Sequence, residues 1–334
     1  MKEDIFIKII KEKLPCSSSF IGDDTAYIED KGLILTQDTL IEDIHFRMSS
    51  ISPFELGYKA IAVNLSDIAA SGGIPKYLLI SLSLPPFIDE NFIREFYDGV
   101  SELCTKHNTL VVGGDITGSE KICISVTAIA MAEGITPSTR KSAQIGDSII
   151  VTGVFGASAA GLWLLENNIN SLSDVLDFVI EKFKKCHKMP LPQIGFGRII
   201  ANLSQPAPVI MDASDGLADA LYKISKCSNV SMEIDYEKIP FDPDLNIIAE
   251  KAGVNPVDWI LFGGEDYQLV ACVNEKCYSQ LIKNNIAIRL IGKVVKSKEQ
   301  SEVYVKNNKD IFVINQDSLD KNAFNHFKGV LKND

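Results

Sequence analysis

The chain has 334 residues, of which 46% are hydrophobic and 23% charged, and its formal net charge is -11. This length exceeds what one ordinary core holds and suits two domains, and the composition is that of a globular protein. The acidic balance argues against a nucleic-acid binder, because the one dense basic run, Lys182–Lys188, is interpreted as the solvated face of a helix.

The cysteines, the N-terminus and the apolar runs argue against several other classes. The seven cysteines are scattered without a CxxC spacing, so neither a zinc site nor a redox pair is predicted. The first fourteen residues form an amphipathic, charged segment rather than a signal peptide. The longest apolar runs are interrupted by Asp, Glu or Gly, so no transmembrane span is predicted. We therefore expect a cytoplasmic protein.

The first part of the chain is predicted to alternate between helices and strands. Ser52-Pro53-Phe54-Glu55 is a capping box with Pro at the first helical position, and it begins a long helix that Gly72-Gly73 ends. The other elements predicted here are helices at 3–14 and 89–107, a hairpin of 25–29 and 33–36, and strands at 77–84, 109–112 and 121–131. The composition of strand 77–84 suits a sheet buried on both faces.

A second alternation follows the segment Glu133–Gly146, whose Gly, Ser, Thr and Pro content indicates a domain junction. The predicted strands are 148–152, 209–212, 231–235 and 268–273, and helices are predicted from 157, near 173–187, at 193–203 and at 216–225. This order predicts an α/β or α+β protein with an N-terminal domain over residues 1–135 and a C-terminal domain over 146–334.

Aspartates beside glycine, at strand ends or within apolar segments are the most informative feature of the sequence. Six follow this pattern, namely Asp24, Asp38, Asp67, Asp115, Asp212 and Asp215. A carboxylate in an apolar segment is unfavourable to bury unless something pairs with it, and too few basic residues lie nearby in sequence. Divalent cations prefer oxygen ligands, and adjacent glycines allow backbone and phosphate to approach closely. A single site in which these six carboxylates bind metal ions and phosphate would explain why all six aspartates occupy such positions.

Each motif taken alone also has a structural interpretation. GDD and SDG are ordinary turn and helix-cap sequences, and Tyr97 in a helix suits a packing aromatic. His45 and Arg140 fit surface positions equally well. The sequence contains no GxxxxGK[ST] phosphate loop, no GxSxG and no HExxH, which disfavours the sites that those motifs build.

Seven motifs occur in order over most of the chain: IGDDTAYI, LTQDTLIEDIHF, LGYKAIAVNLSDIAASG, LVVGGDITGS, VTGVFGASAAGL, VIMDASDGL and FGGEDYQL. Together they resemble the thiamine-monophosphate kinase family, of the superfamily that includes aminoimidazole ribonucleotide synthetase and selenophosphate synthetase. The resemblance implies an N-terminal mixed sheet with helices, a C-terminal α/β sandwich and a homodimer formed through the N-terminal domain. It also implies a reaction with several Mg²⁺ ions in which ATP phosphorylates thiamine monophosphate, giving thiamine diphosphate and ADP.

The same resemblance implies roles for individual residues. The implied metal ligands are Asp24, Thr36, Gln37, Asp38, Asp67, Asp115, Asp212 and Asp215. The implied ATP contacts are Tyr97, Gly114, Asp115, Arg140 and Ser214. The implied contacts to thiamine monophosphate are His45, Glu265 and Phe324. Five of these residues are expected to carry the catalysis, namely Asp38, Asp67, Asp115, Asp212 and Asp215.

Two positions depart from the family pattern, and two other functions stay open. Gln37 stands where the family commonly has Ser or Thr, so a hydroxyl is lost although its amide oxygen could still ligate, and the match around Phe324 is short. The alternatives are another ATP-dependent enzyme of the superfamily, such as a selenophosphate or aminoimidazole ribonucleotide synthetase, and a non-catalytic nucleotide or thiamine sensor. Because the acceptor phosphate is already anionic, direct in-line transfer is predicted.

Overall fold

The computed structural model describes residues 2–172, 176–203, 206–307 and 310–322, and its strands form two sheets. The first sheet has five strands in the order β1-β2-β5-β3-β4. Their bounds are β1 Ala26–Ile28, β2 Leu33–Ile41, β3 Ile74–Leu84, β4 Leu110–Gly118 and β5 Cys123–Met131. β3 and β4 pair in parallel and the other neighbours antiparallel, so the sheet is mixed, as predicted.

Two helices cover one face of this sheet, and the chain begins with a third. Their bounds are α1 Lys2–Lys13, α2 Pro53–Ser71 and α3 Glu90–His107. Leu78, Ile80 and Leu82 of β3 form one core with the buried side chains of α2 and α3. The side chains that alternate with them face away from the helices, and Tyr77 and Leu79 are 44% and 40% exposed. Within the single chain, strand 77–84 is therefore buried on one face only, and burial of both faces, which its composition suits, would require a second chain.

The second sheet has seven strands in the order β12-β11-β8-β10-β6-β9-β7. Their bounds are β6 Ser148–Val151, β7 Val209–Asp212, β8 Ser231–Asp235, β9 Leu269–Val273, β10 Arg289–Val295, β11 Val303–Lys306 and β12 Ile311–Ile314. The helices of this half are α4 Ala157–Glu166, α5 Asp177–Lys188, α6 Ile194–Leu203, α7 Leu217–Ser228, α8 Leu245–Ala252, α9 Pro256–Phe262, α10 Glu275–Lys283 and α11 Gln316–Asn322.

Both faces of the second sheet are covered. One face packs against α4, α5, α7, α8 and α9, and the other against α6, α10 and the C-terminal end of α2. This arrangement is the predicted α/β sandwich. Within the described ranges, each helix is too short or too polar to serve as a membrane span.

α2 connects the two halves of the molecule. It contacts β2 and β5 of the first sheet and also β7 and α6 of the second half. Nearly all of its residues from Leu56 onward are buried, including the polar side chains of Lys59, Asn64 and Ser66. Since buried polar groups require partners, α2 indicates where the functional site lies.

The N-terminus of α2 has the predicted capping box. Ser52 Oγ accepts a hydrogen bond from Glu55 N at 3.3 Å, and the Glu55 carboxylate accepts one from Ser52 N at 2.9 Å. Replacing Ser52 by Ala removes the cap acceptor, so we expect the free energy of unfolding to fall by about 1 kcal/mol in urea titrations. Ser50→Ala is the control, because the Ser50 hydroxyl donates to the Arg47 carbonyl in an exposed turn and does not cap a helix. Equal losses in both variants would contradict the capping role.

Candidate active site

Three carboxylates meet where α2 passes between the two sheets. Asp24 lies in the loop before β1, Asp67 near the C-terminal end of α2, and Asp212 at the end of β7. One oxygen from each lies within 4.8 Å of the other two. These segments are far apart in sequence, and the fold brings them together. We refer to these three residues as the aspartate cluster.

Hydroxyl groups hold two members of the aspartate cluster in place. Thr36 Oγ1 of β2 donates to Asp67 Oδ2 at 2.5 Å. Ser66 Oγ of α2 donates to Asp212 Oδ2 at 2.6 Å. Each hydroxyl uses one oxygen of its carboxylate, so the orientation of the other oxygen is fixed as well.

Burial and mutual repulsion oppose ionisation of the cluster. Burial raises the pKa of Asp67 well above its ordinary value, and the charges of Asp38 and Asp212 raise it further. Burial, followed by the charge of Asp24, raises the pKa of Asp212 to about 7. Asp38 is close because β2 turns it toward α2, where its backbone N–H donates to Asn64 Oδ1 at 3.0 Å. A divalent cation among these groups would reverse both shifts.

Two oxygens of the cluster have hydrogen-bonding capacity left over. Asp24 Oδ2 and Asp212 Oδ1 are buried, and neither has a hydrogen-bond partner within the part of the chain that the structure describes. Buried oxygens of this kind normally have a partner. Carboxylate oxygens at this spacing are the ligands that Mg²⁺ prefers, so the residues fit a magnesium site.

Arg140 brings a positive charge to the cluster. Its guanidinium binds Asp24 Oδ1, with Nε at 3.0 Å, and its backbone N–H donates to Asp23 Oδ1 at 3.1 Å. Burial alone would lower the pKa of Arg140, but the carboxylates of Asp24 and Asp23 raise it overall. Arg140, predicted to contact ATP, therefore lies beside the predicted metal ligands.

The segment after β7 connects the cluster to the loop that carries Glu265. The backbone oxygen of Ser214 accepts a hydrogen bond from Glu265 N at 2.7 Å. Asp215 is the next residue and lies two positions before α7, and its Oδ2 accepts a hydrogen bond from Lys223 Nζ of that helix at 3.1 Å. Ser214 and Asp215 thus follow Asp212 of the aspartate cluster in sequence, and Ser214 is hydrogen-bonded to Glu265.

Glu265 lies in a buried ion-pair network between α2 and α5. Its Oε2 is 3.0 Å from Lys59 Nζ and 3.2 Å from His187 Nδ1. Burial would raise the pKa of Glu265, but Lys59 and then His187 outweigh it and lower the pKa below its ordinary value. His45 contributes to the same lowering of the pKa, while its own Nδ1 accepts from Ile41 N at 3.0 Å. The charge of His45 therefore acts on Glu265, and both residues are predicted to contact the acceptor.

Asp115 lies outside the aspartate cluster. The cross-strand pairs Asp115–Ser81, Ser81–Ser125 and Ser125–Thr39 put these four residues on one face of the first sheet. Thr39 follows Asp38, so this face is the open one, opposite to Asp38. Three strand spacings, about 14 Å, also separate β4 from β2. Within one chain, this separation keeps Asp115 from sharing a metal ion with Asp38, contrary to the expectation of a single converging set.

The remaining predicted residues also lie away from the cluster. Gln37 is on the open face, where its Oε1 accepts from a β5 threonine at 2.8 Å. Tyr97 lines a groove of about 500 Å³ between α3 and β4. A Cβ on Gly114 would lie 1.8 Å from the backbone oxygen of Ile80, so close strand packing requires glycine there. Phe324 lies outside the described residues.

Two polar residues of the Glu265 network were missed in the sequence. Lys59 interrupts the apolar stretch of α2 just as Asp67 does, so the same rule for charges in apolar segments applies to it. His187 belongs to the basic run that was predicted to be solvated, but His187 and Lys184 are only 7% and 6% exposed. This correction follows from the packing of α5 against α4. The helical spacing of the buried residues is the signal for it: Val179, Ile180, Phe183 and His187.

Comparison with known proteins agrees with the motifs. Residues 22–132 match the family model of the AIR synthase related protein, N-terminal domain. The chain is 38% identical over 317 residues to the thiamine-monophosphate kinase of Bacillus subtilis (strain 168), covering 92% of this chain and 93% of that one. It is 41% identical over 266 residues to that of Aquifex aeolicus (strain VF5), covering 79% and 83%. A solved structure of AaThiL complexed with AMPPCP and TMP superposes with a TM-score of 0.79 at 36% identity, over 91% of this chain and 94% of that one. The chain belongs to the thiamine-monophosphate kinase family.

Proposed function

We propose that this thiamine-monophosphate kinase transfers the γ-phosphoryl group of ATP directly to thiamine monophosphate in a Mg²⁺-dependent reaction, giving thiamine diphosphate and ADP. The related structure that holds AMPPCP and TMP supports this pair of substrates. The observation that carries the proposal is the meeting of Asp24, Asp67 and Asp212 around two buried oxygens that lack partners among the described residues. We place the reaction in the cytoplasm, which suits free cysteines.

The chain's own residues contribute mainly by position and charge. Bound Mg²⁺ would neutralise the phosphates, held by the aspartate cluster with Thr36, Asp38 and Asp215 as neighbouring ligands. The Arg140 guanidinium binds Asp24 and has further N–H donors, which can bind two phosphate oxygens side by side. The backbone N–H groups at the start of α7 also favour phosphate. The acceptor phosphate is ionised at neutral pH, so no general base is required.

Glu265 and His45 form the proposed acceptor end of the site. Lys59, which contacts Glu265, lies eight residues before Asp67 on α2, a rise of about 12 Å along the helix. A cationic thiazolium or an aminopyrimidine placed at the Glu265 carboxylate would leave the acceptor phosphate free to reach the aspartate cluster. This separation suits an elongated acceptor with a charged ring at one end and a phosphate at the other.

We also propose a homodimer formed through the open face of the first sheet. Tyr77 and Leu79 of β3 are exposed there, and Leu110 of β4, which pairs with Tyr77 and is 62% exposed, extends this apolar surface. Covering this apolar surface with a second copy would bury β3 on both faces, as its composition indicates. Asp115 lies on the same face, so a dimer offers it a site that its own chain does not.

The transfer is expected to proceed without a phosphoenzyme. Histidine or aspartate would be the nucleophile in such an intermediate, but His45 is assigned to the acceptor and the motif aspartates to the metal. ATP labelled in the γ-position should therefore label thiamine diphosphate, and leave no label on the protein when the acceptor is absent. ADP–ATP exchange should require thiamine diphosphate. Stable label on the denatured chain, or exchange with ADP and ATP alone, would contradict direct transfer, and ATP binding without any product would favour the sensor alternative.

A further inference from the structure

We infer that Lys59 and His187 are positioning residues for the acceptor: they hold one oxygen of the Glu265 carboxylate so that the other is presented to the cationic ring of thiamine monophosphate. The inference rests on the proposed role of Glu265 in acceptor binding. It assigns a function to two side chains that the aspartate cluster and the proposed transfer step do not use.

Both positioning residues contact the same atom. Lys59 Nζ lies 3.0 Å and His187 Nδ1 lies 3.2 Å from Glu265 Oε2. Glu265 Oε1 takes part in neither contact, and the Glu265 side chain is 24% exposed while that of Lys59 is fully buried. The carboxylate is therefore fixed from the protein side and keeps one oxygen for a ligand.

The hydrogen bonds define the state of the His187 ring. Lys59 Nζ is 3.5 Å from His187 Nε2, and an ammonium group can only donate, so Nε2 is the acceptor and Nδ1 carries the proton. Nδ1 then donates to the Ser158 hydroxyl at 3.0 Å, and Glu265 Oε2 lies 3.2 Å from the same nitrogen. Burial, and then the charge of Lys59, lower the pKa of His187 to about 3, which keeps the ring neutral at physiological pH.

Stability alone does not account for this network. The attraction within a buried ion pair is largely offset by desolvation of the two charges, so a pair of well-packed apolar side chains at positions 59 and 265 would serve the core as well. The backbone of Glu265 is also held at φ 65°, a conformation that is uncommon for a non-glycine residue. Side chain and backbone of Glu265 are thus both constrained, which is the arrangement expected of a preorganised binding group.

The test compares Lys59→Met and His187→Asn with Glu265→Gln in the full-length enzyme. Met keeps the length of the lysine side chain without its charge, and Asn keeps a donor near the place of Nδ1 while removing Nε2. For each of the first two variants we expect the KM for thiamine monophosphate to rise about tenfold, while the KM for ATP stays within twofold. Lys184→Met is the matched control, because Lys184 is a buried lysine of α5 that contacts Asn170 and Glu181 instead of Glu265. It should leave both KM values unchanged.

A double-variant cycle separates positioning from a general structural effect. If Lys59 acts through Glu265, adding Lys59→Met to Glu265→Gln should raise the KM for thiamine monophosphate no further. Additive effects would overturn the inference, as would a lower melting temperature with unchanged acceptor KM in both single variants. Should Lys59→Met fail to fold, the same comparison with His187→Asn decides. If Glu265→Gln leaves the KM for thiamine monophosphate unchanged, the proposed role of Glu265 in acceptor binding is wrong. If Glu265→Gln raises this KM but the Lys59 and His187 variants do not, the role of Glu265 stands and the positioning role of Lys59 and His187 is wrong.

Discussion

Replacing Asp67 by Asn is expected to lower kcat for thiamine diphosphate formation by roughly 10³-fold or more, while raising the melting temperature of the metal-free protein. The two effects have opposite signs for one reason. Burial and the neighbouring charges raise the pKa of Asp67, which means that the folded protein without metal disfavours its ionised form. A neutral amide of the same shape relieves that repulsion but removes a ligand charge on which the transfer depends.

Melting temperatures and initial rates, each measured with Mg²⁺ and after EDTA treatment, check this prediction. The wild-type protein should gain stability on adding Mg²⁺, and Asp67→Asn should gain much less, because a ligand that binds only the folded state stabilises it by an amount that grows with the logarithm of its affinity. Asp30→Asn is the matched control, since Asp30 is 70% exposed and, among the described residues, pairs only with neighbouring Lys31. Near-normal turnover by metal-free wild-type enzyme would refute the role of the cluster.

The sequence was sufficient for much of the site because a charged residue in an apolar segment is costly wherever the segment folds. Asp67 within α2 and Asp212 at the end of an apolar strand satisfy this rule, Asp24 was found by its place after a glycine and before a strand, and the fold brings all three within 4.8 Å. The same rule applied to Lys59 would have revealed the Glu265 network. Local signals also succeeded, as at the capping box of Ser52, because capping depends only on the few residues that form it.

The features that could not be predicted depend on the order and faces of strands. β10, β11 and β12 were not predicted as separate strands, and their pairing is set by long-range contacts in the second sheet. Asp115 resembles the other five aspartates in sequence, but β4 pairs in parallel with β3 at the sheet edge and carries Asp115 to the open face. His187 lies among lysines, so its burial depends on the contact of α5 with α4.

A heterodimer that combines one Asp67→Asn chain with one Asp115→Asn chain is expected to recover about half of the wild-type activity, although each homodimeric variant is inactive. The expectation follows from geometry. Asp67 belongs to the cluster of its own chain, whereas Asp115 lies about 14 Å from β2 on the open face. If that face pairs two copies, Asp115 of one chain serves the cluster of the other. One site of the heterodimer then carries both substitutions, and the other carries neither.

Co-expression of two differently tagged chains and tandem purification would isolate this heterodimer for rate measurements. The control heterodimer combines Asp67→Asn with Asp212→Asn. Both residues belong to the cluster of a single chain, so each of its two sites keeps one defect and no activity should return. Recovery in the first pair but not in the second would place Asp115 in the partner's site.

Two outcomes would contradict this arrangement. If neither pair recovers activity, Asp115 does not act across the interface. If light scattering shows only monomers and no mixed species can be purified, the dimer proposal is wrong. Recovery in both pairs would require Asp212 also to act across the interface, which its hydrogen bond to Ser66 of the same chain contradicts.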